Sequence, residues 1–496
     1  MSKYWATFGI DLLVEVDSAT GRRNGLEHAL RDAVREGRLA PGAQLPSTRA
    51  LAAEIGLSRG TVSAAYDQLV TEGYLTARRG AGTSVAEVSP RRTGTPRTGG
   101  DAVAPRYNLR PGHPDVTTFP AAAWLRSTRR VLTTAPAAVH GYGEVRGVPE
   151  LRAALAGYLG RTRGVLATPD QIVIASGYVQ ALALLAQVVG AGSRPVIAME
   201  DPGFRFHRDV VRRAGPEVLP LPVDGRGART DLLGGAPYDG TGAVVVTPAN
   251  QFPTGVTLHP DRRHALADWA RDSGGLIIED DYDGEFRYDR QPVGALQGMA
   301  PDHVAYLGTA SKTLGPGLRL AWMVVPPHLA DPVTEAKLHA DHHTENLGQL
   351  VLADLIATHA YDRHVRACRL RYRRRRDLLL SRLASTPGRP SEIEVPGLER
   401  PSGIEVQGPG RPSGIEVRGA AAGLHAMIGL LPAGPDEETV LRLAQARGLA
   451  VDGLADYWHN GGDNPQGIIV GYGTPPEHSY PAALESLAAV LASPPR

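Results

Sequence analysis

Lys312 stands in the stretch GTASKTLGPGLRLAW, residues 308 to 322, just past an apolar run and behind a small hydroxyl residue. Pro316, Gly317 and Arg319 follow closely. A lysine on a solvated face needs no such frame, whereas a lysine that holds something covalently does. Its amine condenses with carbonyls, and one carbonyl compound held this way is pyridoxal 5′-phosphate, PLP. That compound has further needs. A carboxylate keeps its pyridine nitrogen protonated, a donor meets its O3′, and an aromatic side chain covers its ring. Backbone N–H groups, hydroxyls and an arginine take its phosphate. The chain offers Asp280 for the nitrogen and Tyr282, two residues on along the same strand face, for O3′. Ser176, Gly177 and Tyr178 sit at a strand-to-helix turn that presents N–H groups. Arg319, Ser311 and Thr309 are in reach of a phosphate, and Phe204 is placed to stack. Singly, each has a plainer reading: Asp280 as a loop cap, Arg319 as a surface ion-pair partner. Their joint occurrence in this order favours the cofactor.

These residues need a scaffold that brings them together. Apolar runs suited to buried strands recur at 171–176, 195–200, 242–250, 275–283 and 304–311. Helical stretches such as YVQALALLAQVV and PDRRHALADWARDSG lie between them. Such alternation predicts an α/β fold with a mostly parallel sheet covered on both faces. Ligands gather at the C-terminal ends of the strands of such sheets. Ser176, Asn250, Asp280 and Lys312 all fall there.

The first part of the chain has a different pattern. Leu26, Leu30 and Val34 recur four apart and predict a helix from Gly25 to Leu39. Ser47 is a good N-cap for a helix carrying Leu51 and Ile55, and Gly56 is a stop. Ser58 caps a third helix with Val62, Tyr66 and Leu69, which Gly73 ends. Two short helices joined so tightly suggest helix-turn-helix. A hairpin follows around Gly80, Ala81 and Gly82. Ser58, Arg59, Gly60 and Thr61 lie where a recognition helix meets base edges, and Arg59 can pair with guanine. Ser47, Arg49, Arg78, Arg79 and Gly82 flank it as backbone-contacting positions. Residues 1–86 hold about as many acids as bases, so the order of elements, not charge, carries this reading.

The stretch LPSTRALAAEIGLSRGTVSAAYDQLVTEGYL with the RRGAGT wing resembles the GntR-type winged helix, over roughly residues 24–86. The motifs YGEVRGVPELRAALAGYL, SGYVQALALL, EDPGF, TPANQFPTGV, EDDYDGEFRY and SKTLGPGLRLAW occur in the order found in fold-type-I aminotransferases. Together the chain resembles the MocR-type transcriptional regulators, chimeras of those two parts. The resemblance implies an N-terminal winged helix-turn-helix, then a large aminotransferase-like PLP domain with a smaller C-terminal α+β subdomain. It implies that Lys312 is the Schiff-base lysine, that Asp280 meets the pyridine nitrogen and that Tyr282 meets O3′. Arg319 would bind phosphate, and Phe204 would stack. It also implies a homodimer in which Tyr142, in HGYGEVRG, reaches the neighbour's phosphate. Three departures stand out. Phe252 occupies the place of the asparagine usual before Pro-Thr-Gly, leaving Asn250 as the nearby amide. Tyr178 and Val179 replace the small and amide residues common at the phosphate turn. No arginine falls between Gly448 and Pro495, where aminotransferases commonly hold the substrate α-carboxylate.

The bulk numbers set bounds. A chain of 496 residues is expected to hold more than one core. We expect a DNA-binding domain at 1–86, a flexible linker at 87–106 and the effector domain at 107–496, with a repeat-bearing insertion at 389–419. The linker is rich in Pro, Gly, Thr and Arg, with an r.m.s. reach of roughly 25 Å. A net charge of +1 does not by itself argue for nucleic acid. The single cysteine, Cys368, excludes an internal disulfide and fits a cytoplasmic protein. No segment reads as membrane-spanning, and no metal site is expected. RHVRACRLRYRRRRDLLLSRL predicts a basic helix with Val365, Leu370 and Leu378 inward. R-P-S-x-I-E-V recurs from Arg389, Arg400 and Arg411, which reads as a duplicated surface insertion.

Two functions compete at this stage. One is a regulator on double-stranded operator DNA whose effector is a primary amine or PLP itself, without enzymatic turnover. The other is a working PLP-dependent aminotransferase with an appended DNA-binding domain.

Overall fold

The structure is a computed structural model that describes residues 21–78, 82–87, 105–288, 293–384, 415–419, 421–432 and 434–492. Arg79 and the first two repeat copies lie outside the described residues. The chain divides between Val103 and Ala104 into two units.

In the first unit, α1 spans Arg22–Arg35 and buries Leu26, Leu30, Ala33 and Val34. It stops short of the expected Leu39, which folds back so that its N–H donates to the Ala33 carbonyl. Helix α2 spans Thr48–Ile55, and Ser47 caps it by accepting from the Ala50 N–H at 3.2 Å. Gly56 ends it at φ 70°, where a Cβ would be strained. Helix α3 spans Arg59–Thr71 under a Ser58 cap and buries Val62, Ala65, Tyr66 and Leu69. Strands β1 (Leu75–Arg78) and β2 (Gly82–Val85) pair antiparallel, Arg78 opposite Gly82. Leu75 and Val85 join the helices in one apolar core. This is a winged helix-turn-helix.

The second unit is built on an eight-stranded sheet. Five strands run parallel: Glu217–Asp224, Val196–Asp201, Ala243–Val246, Leu276–Asp280 and Val304–Thr309, in that spatial order. Ala321–Val324 pairs antiparallel with Val304–Thr309 and, on its other side, with Ile172–Ala175. The central strands are buried throughout, which is why they read as unbroken apolar runs rather than alternating ones. Helices Tyr178–Gly190 and Pro260–Ser273 pack on the sheet through separate apolar clusters. A smaller antiparallel sheet joins Ile415–Arg418, His425–Leu430, Gly467–Gly471 and Asp452–Gly453. The third repeat copy supplies the first of these strands. Helices Ala360–Ala384, Glu437–Ala446 and Tyr480–Leu491 share a core with that sheet.

The basic helix corrects one expectation. Val365 is buried, but Leu370 and Leu378 are 54% and 45% exposed. The inward stripe is Val365, Cys368, Tyr372, Arg375, Leu379 and Leu383, spaced three and four apart. Arg375 can be buried because its Nη1 donates to the Tyr472 and Gly473 carbonyls and its guanidinium lies 5.0 Å from the Tyr480 ring.

Candidate functional site

Lys312 lies three residues past the C-terminal end of the buried strand Val304–Thr309. Its Nζ donates to the Gly112 carbonyl at 2.7 Å. Burial holds the amine below its usual basicity, and Asp283 and Asp280 partly offset this. The side chain opens on a cavity of about 400 Å³. Asp280, Tyr282, Thr309, Ser311, Arg319, Phe204 and Tyr178 line the same cavity. Seven of the residues singled out beside Lys312 therefore share one space.

Asp280 ends the strand Leu276–Asp280, and its Oδ1 is buried without a hydrogen-bond partner. Burial pushes its carboxyl well above the ordinary range. An unsatisfied buried acceptor is destabilising by about 1–3 kcal/mol, more if charged. The Tyr178 hydroxyl stands near enough to Asp280 to ease that shift in part, without meeting hydrogen-bond geometry. A protonated ring nitrogen is the partner that Asp280 lacks. Tyr282 lies just past the strand end, and its hydroxyl donates to the Asn250 carbonyl and accepts from Asn250 Nδ2, both at 3.1 Å. Asn250, not the residue preceding Pro253, is thus the amide beside Tyr282.

Arg319 takes a left-handed backbone at φ 53° after the turn at Gly315. Its Nη2 donates to the Ser176 carbonyl at 2.7 Å. Gly177 makes room: a Cβ there would lie 2.4 Å from the guanidinium. The start of helix Tyr178–Gly190 and the arginine so form one seat suited to an anion. Ser176 departs from expectation. Its N–H is taken by Gln180 Oε1 and its Oγ turns to Asp341, so only its carbonyl serves the seat. Ser311 N–H donates to Thr309 Oγ1, and that hydroxyl donates to Ser311 Oγ. Tyr142 does not line its own chain's cavity; it is 87% exposed and its ring stands 5.1 Å from His342.

Several lining residues escaped the reading of the sequence. His207 packs between Tyr178 and Phe204, at 4.7 and 4.8 Å between centroids, and burial drops its pKa to about 3. Arg110 lines the cavity with its Nε 3.4 Å from Asp452 Oδ1, and Tyr457 donates to Asp452 Oδ2. These come from segments with no motif, so only folding reveals them. Asp281, adjacent to Asp280, serves the fold. Arg163 engages it through both carboxylate oxygens at 2.7 and 2.8 Å, and Tyr306 donates to it. Among the described residues no cluster suited to a metal ion occurs.

In the winged unit, Ser47, Arg49, Ser58, Arg59, Gly60, Arg78 and Gly82 are exposed, and Thr61 is half-buried. Arg59 is the first residue of α3, beside the cap that Ser58 Oγ makes to the Thr61 N–H at 3.0 Å. Gly82 takes φ 84° at the start of β2.

Fold and site together define a winged helix-turn-helix joined to the fold of PLP-dependent aminotransferases. Comparison with known proteins agrees with both parts. The family of class I and II aminotransferases matches residues 108–402, and the gntR family of bacterial regulatory proteins matches residues 22–85. The pyridoxine biosynthesis transcriptional regulator PdxR of Corynebacterium glutamicum is 32% identical over 457 residues, covering 90% of this chain and 91% of that protein. The probable rhizopine catabolism regulatory protein MocR of Rhizobium meliloti is 33% identical over 392 residues, covering 75% and 78%. Kynurenine aminotransferase of Pyrococcus horikoshii superposes with a TM-score of 0.66 at 25% identity, covering 77% of this chain and 90% of that one. The chain belongs to the MocR-type transcriptional regulators.

Proposed function

We propose that this protein is a PLP-binding regulator whose aminotransferase-like unit senses a small molecule and whose winged helix reads operator DNA. We assign 1–86 to DNA binding, 87–106 to a tether and 107–496 to the effector domain. The observation that carries the reading is one cavity shared by Lys312, the unpartnered Asp280 oxygen and the Arg319 seat at Gly177. PLP, when bound, supplies a carbonyl that takes a primary amine and a ring that withdraws electrons. Lys312, less basic through burial, presents a nucleophilic amine. Asp280 holds a proton on the ring nitrogen, Tyr282 and Asn250 hold O3′, and Phe204 covers a ring face. Arg319 with Thr309 and Ser311 takes the phosphate. Borohydride reduction and peptide mapping test this directly. A pyridoxyl group on the Lys312 peptide is expected, and one found elsewhere, or none, sinks the assignment.

The effector is a primary amine or PLP itself. The relative named for pyridoxine biosynthesis favours PLP. Operator binding measured with and without PLP, and with a panel of amines, separates the two. Turnover as a transaminase is expected to be poor. Full turnover needs a substrate carboxylate held rigidly, and no arginine lies between Gly448 and Pro495. Arg110 reaches the cavity but faces Asp452. Incubation with amino acids and 2-oxoglutarate, assayed for glutamate, decides it. Turnover on the order of 1 per second or more would establish the enzyme reading. We assign a homodimer with Tyr142 serving the neighbouring site; a sedimenting monomer that retains PLP tightly would contradict that.

A further inference from the structure

A second hollow of about 330 Å³ lies between helix Arg205–Arg213 and the segment 455–461. Nothing in the cofactor reading uses it. Arg205, Arg208 and Arg212 reach it from one helix face, as spacings of three and four residues require. Opposite them stand Trp458 and His459. Trp458 buries its Nε1 with no hydrogen-bond partner, whereas the His459 ring lies against the Glu200 backbone. Such an orphaned donor at the wall of a polar hollow points to a missing ligand. Arg208 is buried, and it donates to the carbonyls of Gly203, Tyr457 and Trp458 at 2.7, 2.8 and 3.0 Å. It thereby pins the segment to the helix. Two carboxylates also line the hollow. Asp209 is engaged by Arg212 at 3.2 Å, and Asp456 is exposed. Among the described residues Arg205 makes no ion pair.

We propose that this hollow is a second ligand site, for a small oxyanion: free phosphate or the phosphate end of a phosphomonoester. Guanidinium groups offer forked N–H donors that match such oxygens, and the Trp458 N–H adds a neutral one. The site has a route to regulation. Arg208 and the neighbouring Tyr457 also line the Lys312 cavity. An anion that orders segment 455–461 therefore stiffens a wall of the first site. The proposal does not depend on what Lys312 binds.

Calorimetric titration of the full-length protein with inorganic phosphate, against chloride at matched ionic strength, tests it. Saturable phosphate binding is expected. The double variant Arg205→Gln, Arg212→Gln should weaken it on the order of tenfold or more. Trp458→Phe, which keeps an aromatic ring and removes the N–H, should weaken it several-fold. Arg319→Gln should remove at most the uptake at the Gly177 seat and leave a saturable site that the double variant weakens. If Arg319→Gln abolishes all phosphate binding, the phosphate sits in the Lys312 cavity and the proposal is overturned. Phosphate that behaves as chloride does also overturns it. If circular dichroism shows the double variant unfolded, Trp458→Phe alone decides, and an unchanged affinity refutes the site. Tighter binding of glycerol phosphate identifies a phosphomonoester ligand, and equal binding identifies free phosphate.

Discussion

Arg59 stands exposed at the first turn of α3, whereas Lys312 ends inside a cavity where burial has lowered its basicity. The two regions prepare for their partners in opposite ways. The winged unit keeps Arg49, Arg59 and Arg78 in water, over a core made only of its own helices and hairpin. Its side chains gain little or nothing from the free fold and act when DNA arrives. The cavity takes charged and polar groups out of water beforehand. Asp280 bears an unsatisfied oxygen, and burial pushes Glu200 in the same wall, and Asp283 beside it, up to about 7. Substitution in the first region should therefore change affinity and little else. Substitution in the second should change affinity and stability together, and in opposite directions.

The largest effect tests the core of that contrast. Lys312→Ala should abolish the visible absorbance of bound PLP and the borohydride-fixed pyridoxyl group. Nonspecific DNA binding should be unchanged, because that surface belongs to the other unit. Asp280→Asn comes next. It should weaken PLP by roughly 10- to 100-fold, the range for a lost charge-assisted hydrogen bond. The same change should stabilise the PLP-free protein at alkaline pH. The sign follows from linkage. A carboxyl whose folded pKa is raised keeps a proton that the unfolded chain has already released. Stability then falls as pH rises from about 4, the unfolded value, through the raised folded value. For Glu200 and Asp283 that window closes at about 7. Calorimetry should thus find the PLP-free protein melting lower at about pH 8 than at about pH 6.5, above the range in which the unfolded chain would charge His207, His425 and His459. Asp280→Asn should narrow the gap. A gap unchanged by the substitution would mean that Asp280 is not held at a disadvantage.

The sequence was legible where local rules decide. Ser47 and Ser58 cap the helices they precede, Gly56 and Gly73 take left-handed turns, and the apolar runs became buried strands. Order along the chain was enough to place Lys312, Asp280 and Tyr282 together, because parallel strands deliver their C-terminal ends to one edge. Legibility failed where distant segments meet. Arg110, His207, Asp452 and Tyr457 carry no motif, and Asp452 reaches the cavity from the small sheet. Leu370 and Leu378 misled because their apolar type was weighed above their phase. Arg375 lies on the buried stripe, held there by carbonyls, Asp115 and the Tyr480 ring. Asp281, next along the chain from Asp280, serves the fold instead, against Arg163.

A third prediction probes the exposed region. Arg59→Ala should weaken specific DNA by about 1–3 kcal/mol and relax preference at one base pair. Arg49→Ala and Arg78→Ala should weaken all sequences alike and lower the salt dependence. Equal losses on operator and random DNA for Arg59→Ala would move it to the phosphate-contacting group. None of the three should shift the melting temperature measurably, since all are exposed.

The smallest effect asks whether the winged unit is as free of internal cost as the comparison implies. Ser58 accepts from the Thr61 N–H at 3.0 Å and shares a hydrogen bond with Thr61 Oγ1 at 2.8 Å. It is exposed, yet it is also the cap of the helix whose first residue is Arg59. Ser58→Ala should destabilise α3 by about 1 kcal/mol, the usual worth of such a cap, and Ser58→Asp should restore most of it. Fraying of the first turn moves Arg59, so operator affinity should fall with Ser58→Ala by an amount comparable to the lost stability. An aspartate there carries a charge that repels phosphate. If Ser58 acts only through the cap, Ser58→Asp should recover the melting temperature, and its remaining affinity deficit should shrink as salt is raised. If the serine hydroxyl contacts DNA itself, the deficit should persist at every salt concentration. Visible absorbance of the PLP-loaded unit should stay constant in all these variants. A change there would mean that the two regions share energy after all.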